Sequence, residues 1–181
     1  MATEKETIQF SDSALSKAKE IIGRYPEGKQ KSALLPLLHL AQSEFDGWLS
    51  PAVMDYVASL LQIKPIEVYE VATFYTMFNL EPVGNHLLEV CRTGPCWLRG
   101  AEDIVKRIEQ KLNIKVGETT ADGKFTLKTV ECLGSCGTAP MLQCGATFFE
   151  NLSEESVEML IEKLAKQKRS SYLRPTEINV G

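Results

Sequence analysis

Two close pairs of cysteines constrain this chain more than any other feature. They fall as Cys91-Arg-Thr-Gly-Pro-Cys96 and Cys132-Leu-Gly-Ser-Cys136, a C-x4-C followed by a C-x3-C. For both pairs to serve one site, the fold must bring together two loops that are distant in sequence. A β-α-β unit does this, because two parallel strands joined by a crossover end at the same edge of the sheet. Each strand is then followed by one loop with its pair of thiols.

Four thiolates match the all-cysteine ligand set of an iron-sulfur cluster. A structural zinc ion takes four cysteines at spacings of this kind as well, so spacing alone leaves both open. The pattern differs from the plant-type ferredoxin run. Dithiol exchange chemistry uses C-x-x-C, and the sequence has no such pair. Gly94, Gly134, Ser135 and Gly137 are small enough for the backbone to come close to a bound group and turn amide N–H groups toward sulfur. The fifth cysteine, Cys144, reads as a small buried hydrophobe in a strand. His39 and His86 read as structural, since four cysteines complete a ligand set. Arg92 sits between two of the four and reads as a charge that favours a reduced cluster or as a solvated side chain. Trp97 reads as a shield or a packing residue.

The first half of the chain has the period of helices. Leu15, Ala18 and Ile22 form one stripe, and Leu34, Leu38, Ala41 and Phe45 a second that Gly47 ends. Pro36 lies near the start of that second stripe or kinks it. Ser50-Pro51 is a helix start, followed by Val53, Met54, Val57, Leu60 and Leu61. Pro65 opens a fourth helix with Glu67 at its positive end and Val68, Val71, Ala72 and Tyr75 on one face. Phe74, Tyr75 and Phe78 read as core or as an interface. Proline and glycine in Glu81-Pro-Val-Gly-Asn85 break the pattern.

Strand, helix and strand follow. His86 to Cys91 predicts a strand, and Leu98, Ala101, Ile104, Val105, Ile108 and Leu112 a helix. Phe125 to about Glu131 predicts the second strand after an Asp122-Gly123 turn. A hairpin is expected over Met141 to Cys144 and Thr147 to Glu150, then a helix capped by Ser153 with Val157, Leu160, Ile161 and Leu164 inward. The predicted organisation is a helical domain over 1–83, an α/β domain of order β-α-β-β-β-α over 84–167, and a polar tail over 168–181. With Lys168, Arg169 and Arg174, that tail reads as a solvated end or as a segment that reaches over a partner.

A net charge of −4 with no broad basic surface excludes nucleic acid as the expected partner. No apolar run reaches the roughly 18 residues of a membrane span, so no membrane insertion is expected. The segment from Met1 to Lys17 lacks a signal-peptide core, which predicts a cytoplasmic location.

The motifs Cys91-Arg-Thr-Gly-Pro-Cys96-Trp-Leu-Arg-Gly, Val130-Glu-Cys132-Leu-Gly-Ser-Cys136-Gly-Thr-Ala-Pro140 and Val71-Ala-Thr-Phe-Tyr-Thr-Met-Phe78 resemble the 24 kDa (NuoE) subunit family of respiratory complex I. The resemblance spans about Leu34 to Leu164. It implies a helical bundle followed by a thioredoxin-like ferredoxin domain, with one 2Fe-2S cluster on Cys91, Cys96, Cys132 and Cys136. It also implies a flavin- and NADH-binding NuoF-type (51 kDa) partner that holds FMN and NADH, together with further complex I subunits in a peripheral arm at the inner face of the membrane. The absence of a G-x-G-x-x-G loop here agrees with that division of labour. Equivalent subunits of an NAD-reducing hydrogenase or an NAD-linked formate dehydrogenase share these features. A zinc-stabilised binding module is the alternative of a different class. The hairpin Gln143-Cys-Gly-Ala146 departs from the family, whose members usually have Asn or Asp turn residues there.

Overall fold

The computed structural model describes residues 8–170. The chain divides into two compact units on either side of the Pro82–Val83 bond.

Among the described residues the first unit holds four α-helices, α1 (Asp12–Gly23), α2 (Leu34–Glu44), α3 (Pro51–Leu61) and α4 (Pro65–Phe74), and a 3-10 turn over Gln30–Ala33. Their starts follow from local chemistry. Ser11 Oγ accepts the Ala14 amide at 3.3 Å and Ser50 Oγ that of Val53 at 3.2 Å, so each hydroxyl satisfies an amide with no partner inside the helix. Pro51 and Pro65 occupy first-turn positions that need no donor. Glu67 accepts the Lys64 amide at 2.9 Å and pairs with Lys31 at 2.6 Å. Pro36 lies in the first turn of α2 and leaves the helix unbroken. The stripes are placed slightly differently from the sequence reading. In α1 the buried residues are Ala14, Ala18 and Ile21, with Leu15 and Ile22 half-buried. Phe45 caps α2 and stacks on Phe10 at 5.6 Å between ring centres.

A buried polar clamp closes this unit. Gln42 donates to the Met77 carbonyl at 3.0 Å and accepts the Asn79 amide at 2.7 Å, while Asn79 donates to the Gly47 carbonyl at 3.0 Å. These bonds satisfy backbone groups of two loops inside an apolar core, where an unmet group costs about 1–3 kcal/mol. Phe78 is buried, whereas Phe74 is 76% exposed, so the aromatic run divides between core and surface.

The second unit contains β1 (His86–Cys91), α5 (Gly94–Leu98), α6 (Ala101–Leu112), β2 (Phe125–Val130), β3 (Leu142–Cys144), β4 (Thr147–Phe149) and α7 (Glu154–Leu164). The sheet order is β2-β1-β3-β4. β1 pairs parallel with β2, from His86 opposite Phe125 to Cys91 opposite Val130. β3 and β4 form the antiparallel hairpin, with β3 against β1. α6 and α7 pack on one face over Leu88, Val90, Phe125, Leu127 and Leu142. Arg107 pairs with Glu158, and Lys111 with Glu162 at 2.8 Å, across these two helices.

The α/β order is the expected one, with one correction inside it. Leu98 does not belong to the stripe of α6. It ends the short α5 and is 77% exposed, because Gly100 at φ 90° turns the chain before α6 begins at Ala101. The tail also differs over its described part. Ser170 returns to the sheet, where its hydroxyl lies 2.8 Å from His86 Nδ1 and 3.3 Å from Cys144 Sγ. Arg174 lies outside the described residues.

Candidate metal centre

The parallel pairing of β1 and β2 positions the two cysteine loops. Cys91 is the last residue of β1, opposite Val130 at the end of β2, and Cys132 follows two residues later. The Arg92 amide continues the ladder to the Val130 carbonyl at 3.2 Å, and the Cys91 amide bonds to the Met141 carbonyl at 3.3 Å. Cys96 sits in α5 and Cys136 opens a 3-10 turn that runs to Thr138. Cys91 and Cys96 are buried with Ala101, Ala139 and Met141, whereas Cys132 and Cys136 are exposed.

The four sulfurs form two neighbouring pairs. Cys132 and Cys136 stand 3.6 Å apart at sulfur. Cys91 and Cys96 shift each other's thiols, and the charge of Cys91 raises both Cys132 and Cys136. The Thr93 hydroxyl lies 3.3 Å from Cys91 Sγ and helps to lower the Cys132 thiol, so it acts on both loops. The Gly134 amide donates to Cys132 Sγ at 3.4 Å. Gly134 needs its lack of a side chain for this, since its φ is 85°. Among the described residues no three His, Cys, Asp or Glu side chains converge as they would on a single metal ion.

Each pair has one acidic and one reluctant thiol. Burial pushes Cys91 up, but hydrogen bonds from Thr93 and the Leu133 backbone outweigh it and leave the thiol below its ordinary value. Burial raises Cys96 to about 11, with Cys91 adding to the effect. The Gly134 amide and Cys136 lower Cys132, and Cys132 in turn raises Cys136. The second thiolate of each pair therefore meets repulsion from the first. A cationic centre with two thiolate ligands per metal relieves that repulsion, so the donor set fits such a group.

The surroundings are tied to both loops. Arg92 is engaged by Glu102 at 2.7 Å. Arg99 Nε donates to the Ala139 carbonyl at 3.4 Å. Glu150, just past β4, accepts from the hydroxyls of Ser135 and Thr138, which hold its carboxyl below the ordinary range. No sequence motif announced Glu150, because its partners are fixed only once the hairpin has folded back onto the loop. Trp97 is 59% exposed, so it does not act as a buried packing residue within this chain. Cys144 stands apart, buried in the sheet core with its thiol pushed up to about 11 by burial.

The profile of the thioredoxin-like 2Fe-2S ferredoxin family matches residues 18–165. The chain belongs to this family. Its relatives include the NuoE-type subunit of the NADH-quinone oxidoreductase of Rickettsia typhi, 50% identical over 87% of this chain and 92% of the relative. The mitochondrial NADH dehydrogenase (ubiquinone) flavoprotein 2 of Dictyostelium discoideum is 44% identical over 91% of this chain and 67% of its own length. These relatives bear out the resemblance carried by the cysteine motifs. Among solved structures, an NAD+-reducing NiFe-hydrogenase in its H2-reduced state superposes with a TM-score of 0.65 over 74% of this chain at 22% identity. The alignment covers 22% of the hydrogenase chain, and the likeness is one of fold.

Proposed function

We propose that this chain is an electron-transfer subunit of an NADH-quinone oxidoreductase, carrying one 2Fe-2S cluster on Cys91, Cys96, Cys132 and Cys136. The observation that carries the proposal is the placement of the two cysteine loops at the shared end of β1 and β2, in a chain of this family. Two pairs suit two irons with two cysteines each. The glycines support the same reading. A Cβ built at Gly94 or Gly137 meets no protein atom within 4 Å, and neither residue has a positive φ, so the protein fold itself does not require glycine there. A bound group close to these loops is the reason we propose for glycine at both. When bound, such a cluster supplies one-electron chemistry to a flavin that takes two electrons from NADH.

The chain's own groups prepare the site. The Gly134 amide and the Thr93 hydroxyl donate toward sulfur and spread its negative charge. Burial of Cys91 and Cys96 keeps water from one side. We assign the helical domain to 1–83 and the cluster domain to 84–167. The partner is the flavin- and NADH-binding subunit, which supplies FMN and NADH, within a complex whose peripheral arm lies at the inner face of the membrane. Among the described residues no helix is long and apolar enough to cross a membrane.

Mixing the two subunits tests this role. NADH is expected to reduce the cluster of this chain only when the flavoprotein is present, and the isolated chain is expected not to reduce ferricyanide with NADH. Turnover of NADH by the isolated chain contradicts the proposal. Copurification with a nickel or molybdenum subunit assigns the chain to a hydrogenase or formate dehydrogenase instead.

A further inference from the structure

We infer that Glu150 is a positioning residue for the second cysteine loop, bracing it through Ser135 and Thr138 and making a cluster held there harder to reduce. The inference rests on the cluster reading above.

The placement is specific. Glu150 Oε1 accepts from Ser135 Oγ, the residue just before Cys136, and from Thr138 Oγ1, two residues after it. The two hydroxyls lie 2.8 Å from each other, so one carboxylate oxygen gathers both sides of Cys136. The backbone extends the clasp. The Asn151 amide bonds to the Thr138 carbonyl at 2.7 Å, and the Leu152 amide to that of Pro140 at 2.9 Å. Through β4, which pairs with β3, the exposed loop of Cys132 and Cys136 is thereby fastened to the sheet.

A second consequence is electrostatic. No Lys or Arg among the described residues forms an ion pair with Glu150. Reduction leaves a cluster one charge more negative, and an ionised carboxylate fixed beside its loop opposes that step. That charge acts toward a lower reduction potential. Glu150→Gln keeps a carbonyl oxygen for the two hydroxyls and removes the charge. Glu150→Ala removes both.

The test uses the full chain, purified without oxygen and reconstituted as wild type, E150Q and E150A. Iron and sulfide content of the wild type is measured first, and a wild type that takes up no cluster defeats the cluster reading itself. Loaded proteins are titrated with dithionite, which gives one electron to each cluster, while the paramagnetic resonance signal reports the midpoint. Iron release to a chelator is followed in parallel. E150Q is expected to have a more positive midpoint with release within about twofold of wild type, and E150A a more positive midpoint with release roughly tenfold faster. Failure of E150A to load, with native circular dichroism, is the brace lost outright and also supports the inference. An unchanged or more negative midpoint in E150Q overturns the role of the charge. Failure of E150Q to load, or wild-type release from E150A, overturns the brace.

Discussion

Cys91 and Cys96 are buried under Ala101, Ala139 and Met141, and Cys132 and Cys136 are exposed on a loop that Glu150 holds. Replacing any one of the four by alanine removes a thiolate that its partner cannot supply, so iron and sulfide content is expected to collapse in all four variants. Cys144 serves as the control. Cys144→Ala is expected to keep the cluster at a cost of about 1–2 kcal/mol from lost packing, read from the denaturation midpoint. Loss of cluster in that variant, with retention in one of the other four, contradicts the assignment. A pH dependence belongs to His86. The residue is 1% exposed, and burial holds its imidazole below its ordinary value of 6.5, with Arg169 acting the same way against hydrogen bonds donated to the backbone carbonyls of Gln167 and Leu164. The unfolded chain thus binds a proton at a pH where the folded chain does not. The contribution of His86 to stability is expected to be complete well above pH 6.5 and to be lost as the pH falls below it. His39, also lowered by burial, adds to the same trend. His86→Gln is expected to flatten the fall of the melting temperature below pH 6.5, and an unchanged slope rules out this origin.

The elements that the sequence announced most clearly are those with chemical punctuation at their ends. Ser50-Pro51 and Pro65 start α3 and α4, Ser153 caps α7, and the β1 to β2 pairing runs between the expected residues. The cysteine loops were legible for the same reason, since each follows a strand. What stayed hidden depends on contacts made only after folding. Leu98 has the spacing of α6, yet Gly100 separates it into α5, and nothing in helical periodicity registers a one-turn helix before a glycine. The Gln42–Asn79 clamp and the Glu150 brace join residues far apart in sequence. Gly84 shows how tightly one such approach is drawn. A Cβ there would lie 2.8 Å from the Phe125 carbonyl carbon and 2.9 Å from that of Lys124, both main-chain atoms. Gly84→Ala must spread the start of the β1–β2 pair and is expected to cost about 1–3 kcal/mol. Gly137→Ala meets no atom within 4 Å. Its fold is expected to hold within about 0.5 kcal/mol, while cluster loading falls. Equal effects of the two substitutions on apoprotein melting temperature contradict this contrast.

At the scale of the whole molecule, the chain combines a helical unit with a sheet whose β1 and β2 lead into the two cysteine loops at one edge. The surface beside those pairs includes Trp97 and Leu98, 59% and 77% exposed, and the helical unit exposes Phe74 at 76%. Large apolar side chains left in water at such positions fit a subunit that works against a neighbour. The division of labour proposed for the pair agrees with the sequence, which carries the thiols and has no G-x-G-x-x-G loop. Everything in that account depends on what the four cysteines hold. The most direct measurement is the metal and sulfide content of chain purified without oxygen, joined to electron paramagnetic resonance after reduction. About two irons and about two acid-labile sulfides per chain, with a rhombic signal that appears on reduction, are predicted. Colourless protein with about one zinc per chain and no such signal would contradict the account and leave a zinc-stabilised binding module in its place.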